Sequence, residues 1–281
     1  MPTFALALTW SQAIDEFLAF MRDEKNASDN TVSAYRADLA QLGKHLGKPN
    51  LSVVSEQDLQ TFVSCLHDAG AASSTIARKV TSFRMFFDFT EAEGLTPTNP
   101  AEDLTAPPVL HKETESLSDD QVEALLANCR SKQFMPRRDT AMMSLAVRLG
   151  LTSSEIVGLQ LPDFNKIEET LDVCPRRKER TISLPHDCMQ DLVSYIGSER
   201  NWLLKGRRND SIFLGRNGDV LTRQRLWIII KKYAMETGIP KCGPRLLRNT
   251  AAKRMLRDGI SKAEIRQTLG LSEDNKLTHF R

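Results

Sequence analysis

The chain has 281 residues, 41% of them hydrophobic and 26% charged, which is enough apolar material for about two domain cores. The net charge is only +2, so composition alone does not mark a nucleic-acid partner, and the clustering of basic residues has to decide. No apolar run approaches the ~18 residues of a membrane span. The start, MPTFALALTWSQ, lacks a basic segment and a small-residue cleavage site, so neither a membrane nor a secretory signal is expected.

The first hundred residues predict four helices. Ile14, Phe17, Leu18 and Met21 recur at i, i+3, i+4 and i+7, one apolar stripe. A second helix starts near Ser28, Asp29 or Asn30, any of which can cap free N–H groups, and carries Val32, Tyr35, Leu39, Leu42 and Leu46. A third opens on the capping-box-like pair Ser55 and Asp58 and continues through Leu59, Phe62, Val63 and Leu66. A fourth follows GAASS with Ile76, Val80, Phe83 and Phe86 or Phe87. Four such stripes can bury one another as a small bundle. Pro97, Pro100, Pro107 and Pro108 then forbid a continuous helix. The expected organisation is a helical domain over 1–103, a linker over 104–116 and a second domain over 117–281.

Order resumes at Ser118 and Gln121, another capping box. A helix ends at Gly150, which suits a left-handed C-cap. TLDVC and RTISLP flank PRRKE and predict a β-hairpin with basic residues on its turn. Further helices are expected near 187–199 and 222–236, from Pro244, and from Ser261 with Glu264 three residues on. The fold class is mainly α with a small β-sheet (α+β). Basic residues gather in PRRKER, in Arg223 and Arg225, and in Lys241, Arg245, Arg248, Lys253, Arg254 and Arg257. The five cysteines (Cys65, Cys129, Cys174, Cys188, Cys242) are odd in number and lack CxxC spacing. They argue against a disulfide framework and against a metal site, and fit a reducing cytoplasm. No cofactor is expected.

Stretches in both halves resemble the tyrosine recombinases, also called phage integrases, near their Xer branch. In the first half these are SDNTVSAYRADL, STIARKVTSFRMFFDF and NPAEDLTAP. In the second they are RDTAMMSLAVRLGLTSSEIVGLQLPDF, RRKERTISLP, GPRLLRNTAA and LGLSEDNKLTHFR. The resemblance spans nearly the whole chain. It implies a SAM-like core-binding domain, a second domain of the recombinase catalytic type, and double-stranded DNA as partner. In the family a tyrosine attacks a DNA phosphate, a hairpin lysine protonates the leaving oxygen, and arginines stabilise the crowded charge. That charge wants fixed cationic donors, and arginine offers a planar fork of them.

Carried over residue by residue, the resemblance puts the family's first arginine at Thr152 and its hairpin lysine at Pro175. Its His-x-x-Arg pair falls at Arg245 and Arg248, its later histidine at Leu271 and its nucleophile at Phe280. Four of the six positions, Thr152, Pro175, Leu271 and Phe280, thus carry other chemistry. Losing one well-placed donor costs about 10²- to 10³-fold, and a phenylalanine removes the covalent route itself. Arg148, Lys178 and His279 are the candidate substitutes. Tyr35 reads as core packing, and Tyr195 and Tyr233 as mid-domain residues far in sequence from the last segment. Thr152 with Glu155 instead makes a capping box that starts a helix.

DNA contacts are expected from Arg177, Lys178, Arg245 and Arg248, with Thr31, Arg36, Arg78, Lys79 and Arg84 as candidates in the first half. The sequence runs one residue past Phe280, where the resemblance puts a further short helix in Xer-like relatives, so family-style cyclic assembly is not expected. The leading expectation is a nucleoid-associated, DNA-binding homologue that does not cut DNA, working with an active recombinase or with itself as an oligomer. Two alternatives stay open: an active recombinase using non-standard residues, and a protein-interaction module without DNA binding.

Overall fold

The structure, a computed structural model, describes residues 9–48, 50–108, 114–173, 179–271 and 277. The chain divides into two compact units, 1–111 and 112–281.

The first unit contains α1 (Trp10–Asp23), α2 (Asp29–Leu46), α3 (Glu56–Asp68) and α4 (Ser73–Ala92). Thr9, Ser28 and Ser55 each accept a hydrogen bond from the amide three residues on, which fixes where the first three helices begin. Gly47 adopts φ +60 and ends α2. The apolar stripes face one another. Phe17, Phe83, Phe86 and Phe87 are fully buried, and Phe17 meets the Phe86 ring edge-on at 5.5 Å. Leu46 departs from its stripe: as the last residue of α2 it is only partly buried. Asp38 on α2 is 2% exposed, and Arg78 and Lys79 of α4 both donate to it, the Lys79 ammonium at 2.8 Å. A buried carboxylate is tolerable only when paired in this way, so this trio fixes α2 against α4.

The second unit contains α5 (Asp119–Arg130), α6 (Pro136–Arg148), α7 (Ser153–Gly158), β1 (Phe164–Asn165), β2 (Thr170–Val173) and β3 (Arg180–Ser183). It continues through α8 (His186–Tyr195), α9 (Asn201–Leu204), α10 (Arg223–Glu236), α11 (Pro244–Arg257) and α12 (Lys262–Leu269). The strands form one antiparallel sheet in the order β1-β2-β3. Helix α6 is the hub: ten consecutive residues from Arg138 to Val147 are buried, and α5, α8 and α11 pack on it. Its first amides have no local cap. Glu199 accepts from the amides of Arg137 and Arg138 at 3.0 and 2.9 Å instead.

Two expectations change here. The hairpin is a three-stranded sheet, because β1 is too short for an alternating pattern to reveal. The helix expected to end at 199 passes through a π-turn (Ile196–Arg200) into α9, no proline intervening. Among the described residues, Cys129, Cys188 and Cys242 are buried in the second unit and Cys65 is exposed in the first. No described helix is long and apolar enough to cross a membrane.

Candidate functional site

The site is built where α6 hands over to α7. Gly150, at φ +68, makes that turn, and Thr152 caps α7. The Thr152 hydroxyl accepts from the Glu155 amide at 3.3 Å, and the Glu155 carboxylate accepts from the Thr152 amide at 2.7 Å. Two arginines converge on this turn. Arg180, the first residue of β3, donates through Nη1 to Glu155 at 2.8 Å and through Nε to the Thr268 carbonyl at 3.1 Å. Arg248, on α11, donates through Nη1 to the Gly150 carbonyl at 2.7 Å and through Nη2 to the Leu269 carbonyl. Its guanidinium also lies 4.0 Å from Glu155.

The cluster is dry. The Arg180 and Glu155 side chains are 6% and 8% exposed, and that of Arg248 is 20% exposed. Burial pushes the Glu155 carboxyl up, but hydrogen bonds from Arg180 and Thr152, with the Arg180 charge, outweigh it and hold the group below the ordinary carboxylate value. Burial lowers the Arg248 guanidinium, Glu155 raises it, and the like charge of Arg180 lowers it again; the net direction is down.

Of the residues expected from the sequence, Thr152 and Arg248 meet in this cluster. Leu271 lies just past α12 and packs on the small core of Ala251, Ala252, Met255, Ile265 and Leu269. Arg245 is exposed one turn before Arg248 on α11, on the same side of the helix. Pro175, Arg177, Lys178, His279 and Phe280 lie outside the described residues. Arg148 does not reach toward Thr152; it pairs with Glu123 and Asp187 at 3.3 and 3.1 Å. Tyr195 and Tyr233 are fully buried, their hydroxyls hydrogen-bonded to Leu214 and Asp139, and burial raises both phenols.

In the first unit, Arg36 is exposed and pairs with Asp15 at 2.6 Å, and Arg84 is exposed and donates to the Leu104 carbonyl at 2.6 Å. Thr31 is half-buried beside Ser28. Arg78 is exposed but shares Asp38. Lys79 turns inward: it is 7% exposed, and its ammonium is held by Asp38 and Gln41. An ammonium so placed cannot point at an outside partner.

Arg180 is the residue that sequence reasoning missed: it heads the strand RTISLP and ends the basic run PRRKER, but is given no role in the site. The signal was the strand period: Arg180 shares a face with Ile182, which is buried, while Thr181 and Ser183 are exposed.

A helical unit followed by a mixed unit, whose α7, β3, α11 and α12 meet at one arginine–carboxylate cluster, has the fold of DNA integrases. The Tn1549 transposon integrase in complex with transposon right-end DNA superposes with a TM-score of 0.78 at 19% identity, covering 97% of this chain and 94% of that one. A lambda integrase dimer bound to a COC′ core site gives 0.75 at 15% identity, covering 98% and 95%. The Phage integrase family model matches residues 115–280, and the phage integrase N-terminal SAM-like domain model matches 14–94. The tyrosine recombinase XerC of Roseiflexus sp. (strain RS-1) is 33% identical over 265 residues, covering 92% of this chain and 84% of that protein. The tyrosine recombinase XerD of Oceanobacillus iheyensis is 31% identical over 265 residues, covering 92% and 89%. The chain belongs to the tyrosine recombinase (phage integrase) family of site-specific recombination.

Proposed function

We propose that this chain is a DNA-binding tyrosine recombinase homologue that takes part in site-specific recombination without cleaving DNA itself. The observation that carries the reading is Thr152. At the family's first-arginine position its side chain is committed to capping α7. A hydroxyl used this way offers no cation to a phosphate. Phe280, at the nucleophile's position, has no group with which to attack. An active recombinase beside it then supplies the strand-cutting tyrosine; another copy of this chain, carrying the same Phe280, shares the DNA without adding one.

DNA binding in this reading is electrostatic at base. Arg245 is an exposed arginine of the cluster's own helix, and Arg36 and Arg84 are exposed candidates of the first unit that do not share the buried Asp38. Arg177, Lys178, Thr31 and Arg78 complete the proposed set. Affinity for duplex DNA should fall steeply with salt, with a log–log slope of about 0.9 per phosphate neutralised. Arg245→Glu should weaken binding to mixed-sequence duplexes and lower that slope by about one contact in a salt-titrated gel shift. Arg248 is the wrong probe, because its guanidinium holds Gly150 and Leu269 and reversal of its charge would disrupt the fold.

The cleavage claim is tested with a nicked suicide duplex followed by a denaturing gel. Neither the wild type nor Phe280→Tyr should give a covalent adduct, since catalytic groups act as a unit and Thr152 and Pro175 remain. An adduct with the wild type would establish an active recombinase with non-standard residues. Unchanged mobility of every duplex at low salt would favour a protein-interaction module.

A further inference from the structure

The cluster around Glu155 carries more positive charge than it balances. Arg180 and Arg248 bring two guanidiniums, and among the described residues Glu155 is the carboxylate within 4.0 Å of either. The remaining acceptors are main-chain carbonyls: Gly150, and Thr268 and Leu269 at the end of α12. A helix C-terminus supplies roughly half a negative charge. That leaves roughly half a positive charge uncompensated in a nearly dry site, which ordinary packing does not tolerate without a partner.

One edge is also unfilled. The Nη2 of Arg180 is buried and has no hydrogen-bond partner among the described residues, although the side chain is 94% buried, given its 6% exposure. The other two nitrogens of that guanidinium are held by Glu155 and Thr268, so its orientation is set. Gly270 leaves the guanidinium its space: a Cβ there would come within 2.8 Å of Nη1 and 3.0 Å of the central carbon.

The geometry points to Arg180 as an anion-binding residue, with Arg248 beside it, that grips a single phosphate and supplies from β3 the charge that Thr152 does not. The identity of that anion as a DNA phosphate rests on the reading above. Arg180 is preorganised as an electrostatic donor needs to be, with its carboxylate partner already in place. Nη2 is buried, so binding requires the surrounding residues to give way for the ligand to reach it. Glu155 is then both the cap partner of Thr152 and the group that aims the arginine. The site grips without cutting, because holding a phosphate requires no nucleophile.

The test uses the full chain and inorganic phosphate. Thermal unfolding is followed in sodium phosphate and in sodium chloride at matched ionic strength and pH 7, for the wild type, Arg180→Gln and Arg180→Lys. Phosphate, but not chloride, should raise the wild-type midpoint progressively with concentration. Arg180→Gln, which removes both the excess charge and the free edge, should abolish the difference. Arg180→Lys keeps the charge and can still pair with Glu155 but has no second edge, so its apparent phosphate affinity should fall about tenfold. It keeps the question open to measurement should the glutamine variant fail to fold. No phosphate-specific response in the wild type, or the same response in Arg180→Lys, overturns the proposal. A gel shift on a mixed-sequence duplex separates the two levels. DNA binding with no phosphate response sinks this inference and leaves the reading. A phosphate response with no DNA binding leaves the anion site and sinks the reading.

Discussion

Thr152 is the residue on which capping and chemistry compete. Replacing it with alanine should cost about 1 kcal/mol of stability through the lost cap, read as a lower urea midpoint with an unchanged slope, while serine should be nearly neutral. Glu155→Ala should be worse, at about 3 to 5 kcal/mol, because it strands a buried Arg180. In the first unit Asp58 plays a comparable part. The Lys48 ammonium first, then the amide and hydroxyl of Ser55, lower its carboxyl to about 2. A depressed carboxylate stabilises the fold above its unfolded value, about 3.9, and loses that contribution as pH falls through the folded one. Wild type and Asp58→Asn should therefore differ in stability at neutral pH, and the gap should close between about pH 4 and pH 2 in acid-unfolding curves.

At the scale of elements, the junction of α6, α11 and α12 depends on one missing side chain. A Cβ at Gly150 would lie 2.5 Å from Leu269 and 3.2 Å from the Ala251 side chain, at a φ of +68. Gly150→Ala should cost more than the ~1 to 2 kcal/mol of left-handed strain alone. The same change at Gly94 (φ +68), where nothing stands within 4 Å, should cost that strain only. Calorimetric midpoints of the two variants make the comparison.

Most helices were legible in the sequence because their starts are written in adjacent residues. Ser55 with Asp58, Ser118 with Gln121 and Ser261 with Glu264 each form the box that their spacing announces. What escaped was set from far away. Lys79 looks like any exposed helix lysine until Asp38, forty-one residues earlier, takes its charge. Arg180 looks like one more basic residue at a strand end until α7 and α12 close on it. The two-residue β1 carries too little pattern to be seen at all.

For the whole molecule, each unit encloses its own core: one is dominated by the phenylalanines of α4, the other is wrapped around α6. Chains spanning 1–111 and 112–281 should each keep their helical circular dichroism when produced apart. The thiols divide the same way. Burial raises the Cys188 and Cys242 thiols to about 11 and Cys129 higher still, and all three belong to the second unit. A thiol reacts as its thiolate and only when reached. Iodoacetamide should therefore modify Cys65 promptly in the native protein and reach the buried Cys129, Cys188 and Cys242 only when the second unit opens. Alkylation of those three becomes an internal clock, timing the breathing of the integrase-type unit with no added label and with Cys65 as the reagent's own reference.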